Sequence, residues 1–406
     1  MSRAVLDVMP ESEGLSAKGT SLRDALACLR GNDTPGAERA LAAALGPNEK
    51  GWLSASWRLT EQAEAMTASL DWTNAHLVYE ILVASGRARF DWIRDRLAWR
   101  AAHLTAFLDR FEKTPPIDRL RGFLEKQLGR PVDRIETARL KPGFVGMAIY
   151  RHRIAFADGG PPLAMIEKVL SAEARDTRRV RHEQLLFTSM PAEDLLAPPY
   201  YGVLAEGDFV SCFQGFFPGE PLALDLWIAT QADLLYRYWM MPPPPKLAKG
   251  PFLGPHYLDQ LRRIIAKDVP KDVKRALRAV SLDEAAETLR GRSAAVEAAI
   301  VATPVFVFHD DLHCGNILVD GAGGMAIIDW DNWALAPLGT GWCFYSTAEE
   351  IPPIDIERIR AARVLPPEIG QRELMLMAAL WGWNKALRDS KPDLAARWLE
   401  KLVRYA

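Results

Sequence analysis

The run from Val305 to Trp333, VFVFHDDLHCGNILVDGAGGMAIIDWDNW, constrains this chain more than any other stretch. An apolar strand ends on His309 and two adjacent carboxylates, Asp310 and Asp311; a short loop then carries His313 and Asn316. A second strand, a glycine-rich turn around Asp320 and a third strand lead to Asp329 and Asp331. Between Arg292 and Arg358 there is no lysine or arginine, yet ten acids stand there: Glu297, Asp310, Asp311, Asp320, Asp329, Asp331, Glu349, Glu350, Asp355 and Glu357. Like charges this dense repel unless something neutralises them. Bound metal ions, basic residues from distant parts of the chain and a cationic ligand are all open as the source.

Composition narrows the rest. A chain of 406 residues, 49% hydrophobic and 25% charged, can bury more than one core. A net charge of -2 lacks the basic excess of a general nucleic-acid binder. The first twenty residues hold no signal-like apolar run, and the longest later run, LMLMAALWGW from Leu374, is too short to span a bilayer. The expectation is a cytoplasmic protein with no nucleic-acid or membrane partner. Cys28, Cys212, Cys314 and Cys343 are far apart with no CxxC pair, which argues for free thiols over a zinc site or a disulfide framework.

The first third reads as helical. Phe90, Ile93, Leu97, Ala101, Leu104, Leu108 and Phe111 recur at spacings of three or four, which predicts one long amphipathic helix ended by TPP at Thr114 to Pro116. Shorter helices are expected at SLRDALACLRG and at SASWRLTEQAEAMTASL, the latter with Trp57 and Met66 on its apolar positions. The long apolar face must be covered by the shorter helices, by the rest of the chain or by a second copy. Cover within the chain is favoured, and a homodimer stays open.

After FLEKQLGRP the period changes. RIETARL, GMAIYRHRIAF and LAMIEKVL predict three antiparallel strands, the first two joined by KPGFVG and the last two by ADGGPP. The turn with Gly143 and Gly146 could let backbone N–H groups approach a phosphate, though most such glycines only turn the chain. Lys168 stands in an otherwise apolar strand, where a lysine is unfavourable unless paired. Glu183, on the helical segment EARDTRRVRHEQLLFTSM, is a candidate partner.

The order of glycine turn, strand lysine, helix glutamate, then HDDLHCGN and AIIDWD is a kinase arrangement. At these residues the chain resembles the aminoglycoside phosphotransferase and choline kinase-like family of small-molecule kinases, over roughly residues 130 to 400, through its HxDLHxGNIL and IIDWD stretches. The resemblance implies an α+β, bilobal protein-kinase-like fold with a small antiparallel-sheet N-lobe and a helical C-lobe, here preceded by an α-helical N-terminal module. The divisions expected are 1–115, 116–215 and 216–406. It implies ATP and Mg²⁺ as cofactors: Lys168 would hold the α and β phosphates and pair with Glu183, Asp311 would accept the proton of the substrate hydroxyl, and Asn316 and Asp329 would bind magnesium. His309 would brace the loop. FVSCFQGFFPGEPL would supply the strand and hinge, with backbone groups of Gln214 to Phe216 meeting the adenine edge. Magnesium prefers oxygen ligands, which suits Asn316 and Asp329 and leaves Asp311 as base.

The chain also departs from the family pattern. Asp310 stands where a small residue is usual and reads either as a solvent-facing loop residue or as part of the acceptor site. ALAPLGTGW replaces an acid-bearing turn, and Cys314 a frequent proline. The acceptor expected is a small-molecule hydroxyl compound, an amino alcohol, aminoglycoside or sugar-like molecule, cationic if Asp310 or the Glu349 and Glu350 pair forms an electronegative pocket. A kinase-fold binding protein without turnover and a protein kinase are the alternatives; the absence of an APE signature argues against the second. Trp330, Trp333, Trp342, Trp381 and Trp383 can stack on sugars or cations, but burial in a core is the plainer expectation.

Overall fold

The structure is a computed structural model that describes residues 17–86, 91–140, 146–278, 280–342, 352–389 and 391–406. Phe90, Gly143, Cys343, Glu349 and Glu350 lie outside the described residues. The chain divides into two compact units, Met1–Thr177 with Tyr201–Phe216, and Arg178–Tyr200 with Phe217–Ala406.

In the first unit, helices α1 (Ala17–Arg30), α2 (Thr34–Leu45), α3 (Ser56–Ala68), α4 (Trp72–Ala84) and α5 (Asp91–Ala102) are followed by the single turn α6 (Leu104–Phe107), a π-helical segment Leu108–Lys113 and α7 (Pro116–Leu128). The strands are β1 (Val132–Leu140), β2 (Ala148–Phe156) and β3 (Leu163–Ser171); after helix α8 (Ala174–Phe187) come β4 (Tyr200–Glu206) and β5 (Phe209–Gly215). They form one five-stranded sheet in the order β1-β2-β3-β5-β4. The three expected strands pair antiparallel, with Ile135 opposite Ile154 and Ile149 opposite Lys168.

The expected single helix from Phe90 to Phe111 is broken at His103. Its Nδ1 lies 2.9 Å from the Trp99 carbonyl oxygen, and its ring stacks on Trp99 with centroids 3.9 Å apart. A side chain competing for a helical carbonyl is a known cause of such a break. The break divides the apolar stripe between two cores. Ile93 and Leu97 pack with residues of α1 to α4, whereas Phe107 and Phe111 join Trp72 against Met147, Ala148, Tyr150, Val169 and Phe209 of the sheet. Two smaller expectations also fail: α1 starts at Ala17, upstream of its serine, and Trp57 is 60% exposed, with the Arg58 guanidinium 5.2 Å from its ring.

That packing is why the chain does not divide at residue 115. Alternate residues of a strand face opposite sides, so Tyr150, His152, Glu167, Val169, Ser211 and Phe213 share one face of the sheet. The leading helices and α7, through Leu120 and Leu124, cover that face. Without them it would expose an apolar surface to water, so helices and sheet form one unit.

A polar network lies inside this layer. Arg119 of α7 donates to both oxygens of Glu167 (2.7 and 2.5 Å) and to Glu206 (2.6 Å). The His152 Nε2 and the Ser211 hydroxyl lie 2.9 and 2.6 Å from the same Glu167 carboxylate. Burial alone would raise the Glu167 pKa, but the hydrogen bonds from His152 and Arg119 and the charge of Arg119 hold it at about 2, below its ordinary 4.5. Arg119→Met should therefore strand a buried carboxylate and destabilise the unit by about 3–5 kcal/mol, read from urea unfolding. Because the folded-state pKa is depressed, this stabilisation is fully present above about pH 4.5 and is lost as pH falls toward 2. An Arg119→Met chain with an unchanged midpoint, or the same acid sensitivity in both chains, would show that the network contributes nothing.

The second unit is mostly helical: α9 (Leu224–Trp239), α10 (Gly254–Ile265), α11 (Lys271–Ala276), α12 (Leu282–Ala302), α13 (Ile356–Ala362), α14 (Gln371–Arg388) and α15 (Pro392–Tyr405). A capping box of Ser281 and Glu284 starts α12. Short strands β6 (Glu220–Pro221), β7 (Val305–His309), β8 (Ile317–Val319), β9 (Met325–Ile327) and β10 (Trp333–Pro337) form a β10-β7 pair and a β6-β8-β9 sheet. Trp330, Trp333, Trp342, Trp381 and Trp383 are all buried in the core, as their apolar surroundings suggested. The fold class is α+β.

Candidate active site

The loop after β7 is held by main-chain bonds that converge on one imidazole. His309 is 1% exposed, and its Nε2 lies 2.9 Å from the Ile328 carbonyl oxygen while its Nδ1 accepts from the Asp311 N–H at 3.3 Å. One nitrogen donating and the other accepting fixes a neutral ring. Burial also lowers the His309 pKa, against the raising effect of its bond to Ile328 and of the nearby Asp329 charge. His309 thus braces the loop.

Asn316 closes the other side. Its Nδ2 donates to the Asp311 carbonyl oxygen (3.0 Å), and its own carbonyl oxygen accepts from the Ile328 N–H (2.9 Å). Both ends of the Ile328 residue are therefore anchored to the loop carrying Asp311, and Asp329 follows directly. Asp329 sits at φ +66° and ψ +46°, a left-handed conformation that non-glycine residues seldom adopt. The Asp311 side chain is 41% exposed, 3.7 Å from the Lys385 Nζ and 3.8 Å from the His313 Nε2.

The donor set suits magnesium. With Nδ2 engaged, Asn316 has Oδ1 left as an acceptor, and Asp329 adds a carboxylate, both hard oxygen ligands. Among the described residues no three His, Cys, Asp or Glu side chains converge as for a metal held by protein alone. Magnesium typically takes only one or two protein ligands and fills its shell with phosphate oxygens and water.

The crowded acids find basic partners elsewhere in the chain. Arg388 of α14 grips Asp310 through two bonds (2.5 and 3.1 Å), and Lys385, one turn earlier, lies beside Asp311. Asp331 is buried, with the Arg179 guanidinium of α8 at 3.9 Å. Asp320 accepts from the Ala322 and Gly324 N–H groups, as a turn residue does.

The remaining candidates are in the first unit, except Glu183. Lys168 is half-buried on the sheet face opposite the covered one, together with Ile149, Arg151, Ile166, Cys212 and Gln214. Gly146 lies beside it: a Cβ there would stand 3.8 Å from the Lys168 Cγ. That is ordinary contact, so nothing steric demands a glycine. Glu183 is 3% exposed on α8, within the second unit. The Phe216 N–H donates to the Ala164 carbonyl oxygen (3.0 Å). A cleft of about 450 Å³ opens on this face, lined among others by Glu136, Arg151, Arg153 and Phe216, with the Arg151 guanidinium 5.2 Å from the Phe216 ring.

Residues 221–341, which include Asp311, Asn316 and Asp329, match the model of the phosphotransferase enzyme family. No curated protein matches the chain. Among solved structures it is similar to a spectinomycin phosphotransferase, APH(9)-Ia, at 14% identity and TM-score 0.32, covering 70% of this chain and 93% of that one. An ethanolamine kinase of Plasmodium vivax is 12% identical at TM-score 0.37 (67% and 81% covered). The choline kinase LicA of Streptococcus pneumoniae is 10% identical at TM-score 0.36 (71% and 97% covered).

The cations that pair with these acids were missed in the sequence because they lie far from them along the chain. A signal existed for one of them: Lys385 follows the apolar run LMLMAALWGW, Leu374 to Trp383, after a single asparagine. The argument that singled out Lys168 applies to it as well.

Proposed function

We propose that the protein is a magnesium-dependent kinase that moves the γ-phosphoryl group of ATP to a hydroxyl of a small molecule. The observation that carries this reading is the bracing of Ile328 between His309 and Asn316, which holds the base candidate and both metal-ligand candidates on one framework. Asp311 would accept the hydroxyl proton as the new O–P bond forms and the bond from the γ-phosphorus to the β,γ-bridging oxygen breaks, with ADP leaving. Asn316 and Asp329 would hold magnesium, which supplies positive charge against the phosphate oxygens. Lys168 would meet the α and β phosphates, and Gln214 and the Phe216 ring would border the base. Neutral His309 keeps the loop in place and exchanges no proton.

The acceptor is proposed as an amino alcohol, aminoglycoside or sugar-like molecule. Its attraction to Asp310 is weaker than the sequence suggested, because Arg388 already engages that carboxylate. Magnesium-dependent ATP consumption stimulated by one member of a panel of amines, amino alcohols and sugars tests the reading; a chain that never consumes ATP with any acceptor fails it. Asp329→Ala should weaken ATP binding in magnesium by about tenfold or more while leaving metal-free binding unchanged, as calorimetry can read. Equal affinities in both chains would remove Asp329 from the metal site.

A further inference from the structure

We infer that helix α5 of the leading module positions the nucleotide-binding elements through Arg96 and Arg100; this rests on the ATP reading above. Arg100 is 2% exposed, and its Nη2 donates to the Gly146 carbonyl oxygen at 2.6 Å. Gly146 is where the described chain enters β2, beside Lys168. The next residue, Met147, donates to the Val169 carbonyl oxygen at 2.7 Å, which ties this entry to the strand carrying Lys168.

One turn earlier, Arg96 grips both oxygens of Asp176, which is 3% exposed in the first turn of α8. Asp176 also accepts from the Ser171 hydroxyl at 2.7 Å, at the end of β3. A single buried carboxylate thus joins α5, the last residue of the Lys168 strand and the start of the helix that bears Glu183. The Trp92 ring adds a second link, with the guanidinium of Arg96 at 5.5 Å and that of Arg175 at 5.1 Å.

The neighbouring apolar positions of α5 explain why it can act as an anchor. Ile93 and Leu97 are fixed in the core built by α1 to α4. Two guanidinium groups four residues apart share one face of a helix. They therefore transmit the position of that core to Gly146 and to α8 together. Burial and the Arg96 charge push the Arg100 pKa down to about 9, still protonated at neutral pH. A buried cation of this kind is unfavourable without specific partners. Arg96 and Arg100 are positioning residues: neither is proposed to touch the nucleotide.

The test uses the full chain with Arg100→Met, which keeps the side-chain bulk, and with Asp176→Asn, which keeps shape where the first variant fails to fold. Without ligand, amide hydrogen exchange should quicken by tenfold or more at 146–150 and 174–183 and stay unchanged in α1 to α3. In magnesium, KM for ATP should rise about tenfold with KM for the acceptor unchanged. Exchange that is unchanged, or faster exchange with KM for ATP unchanged, overturns the inference and leaves the ATP reading standing. If the unmutated chain binds no ATP while Arg100→Met still loosens both segments, the ATP reading fails and the nucleotide role of α5 falls with it.

Discussion

Replacing Asp311 by asparagine should lower turnover by about 10²- to 10⁴-fold while leaving ATP and magnesium binding within about twofold. The separation follows from which atoms of Asp311 do what. Its N–H donates to His309 and its carbonyl oxygen accepts from Asn316, so the framework is built from main-chain atoms that the substitution keeps. The side-chain oxygens stand apart, 41% exposed and beside Lys385. Asparagine keeps the size and one acceptor oxygen but cannot take the proton. A loss of this size in kcat with nucleotide affinity preserved is the mark of an interaction made in the transition state. Undiminished turnover would remove Asp311 as the base; a matching loss of nucleotide affinity would show that the substitution had disturbed the loop instead.

Deleting residues 1–85 should yield a chain that aggregates or fails to fold. The deletion takes away α1 to α4, and with them the core that holds Ile93 and Leu97. It also removes Trp72, which is 0% exposed and packs edge-on against Phe107 with centroids 4.8 Å apart. Loss of a buried tryptophan alone costs about 3–5 kcal/mol, comparable with the whole stability of many domains. The uncovered face of the sheet would then seek another apolar surface. Size-exclusion chromatography and thermal unfolding decide the matter. A shortened chain that elutes as a monomer and melts with the full-length chain would make the leading helices a detachable appendage and would undercut the role given to α5.

Several elements could be read from local sequence because their cause is local. The strands β1, β2 and β3 follow from alternating side chains and bounding glycines. The spacing of His309, Asp311, Asn316 and Asp329 also sits in one short stretch, where strand and turn lengths leave little freedom. Where local patterns compete with packing, the reading failed: the helix expected through Phe111 breaks at His103, and the stripe is divided between two different cores.

The sequence by itself determined the α+β class, the three-strand meander, the loop with its base and metal-ligand candidates, and the excess of acids that needed a counter-charge. Only the tertiary structure decided where that charge comes from: Arg388 and Lys385 of α14 and Arg179 of α8. It likewise decided that the leading helices cover the sheet, and that Arg96 and Arg100 reach Asp176 and Gly146. The physical reason is distance along the chain. Patterning reports which residues must be buried or paired, but a charge pair such as Asp310 with Arg388 spans 78 positions, and no local period encodes the partner.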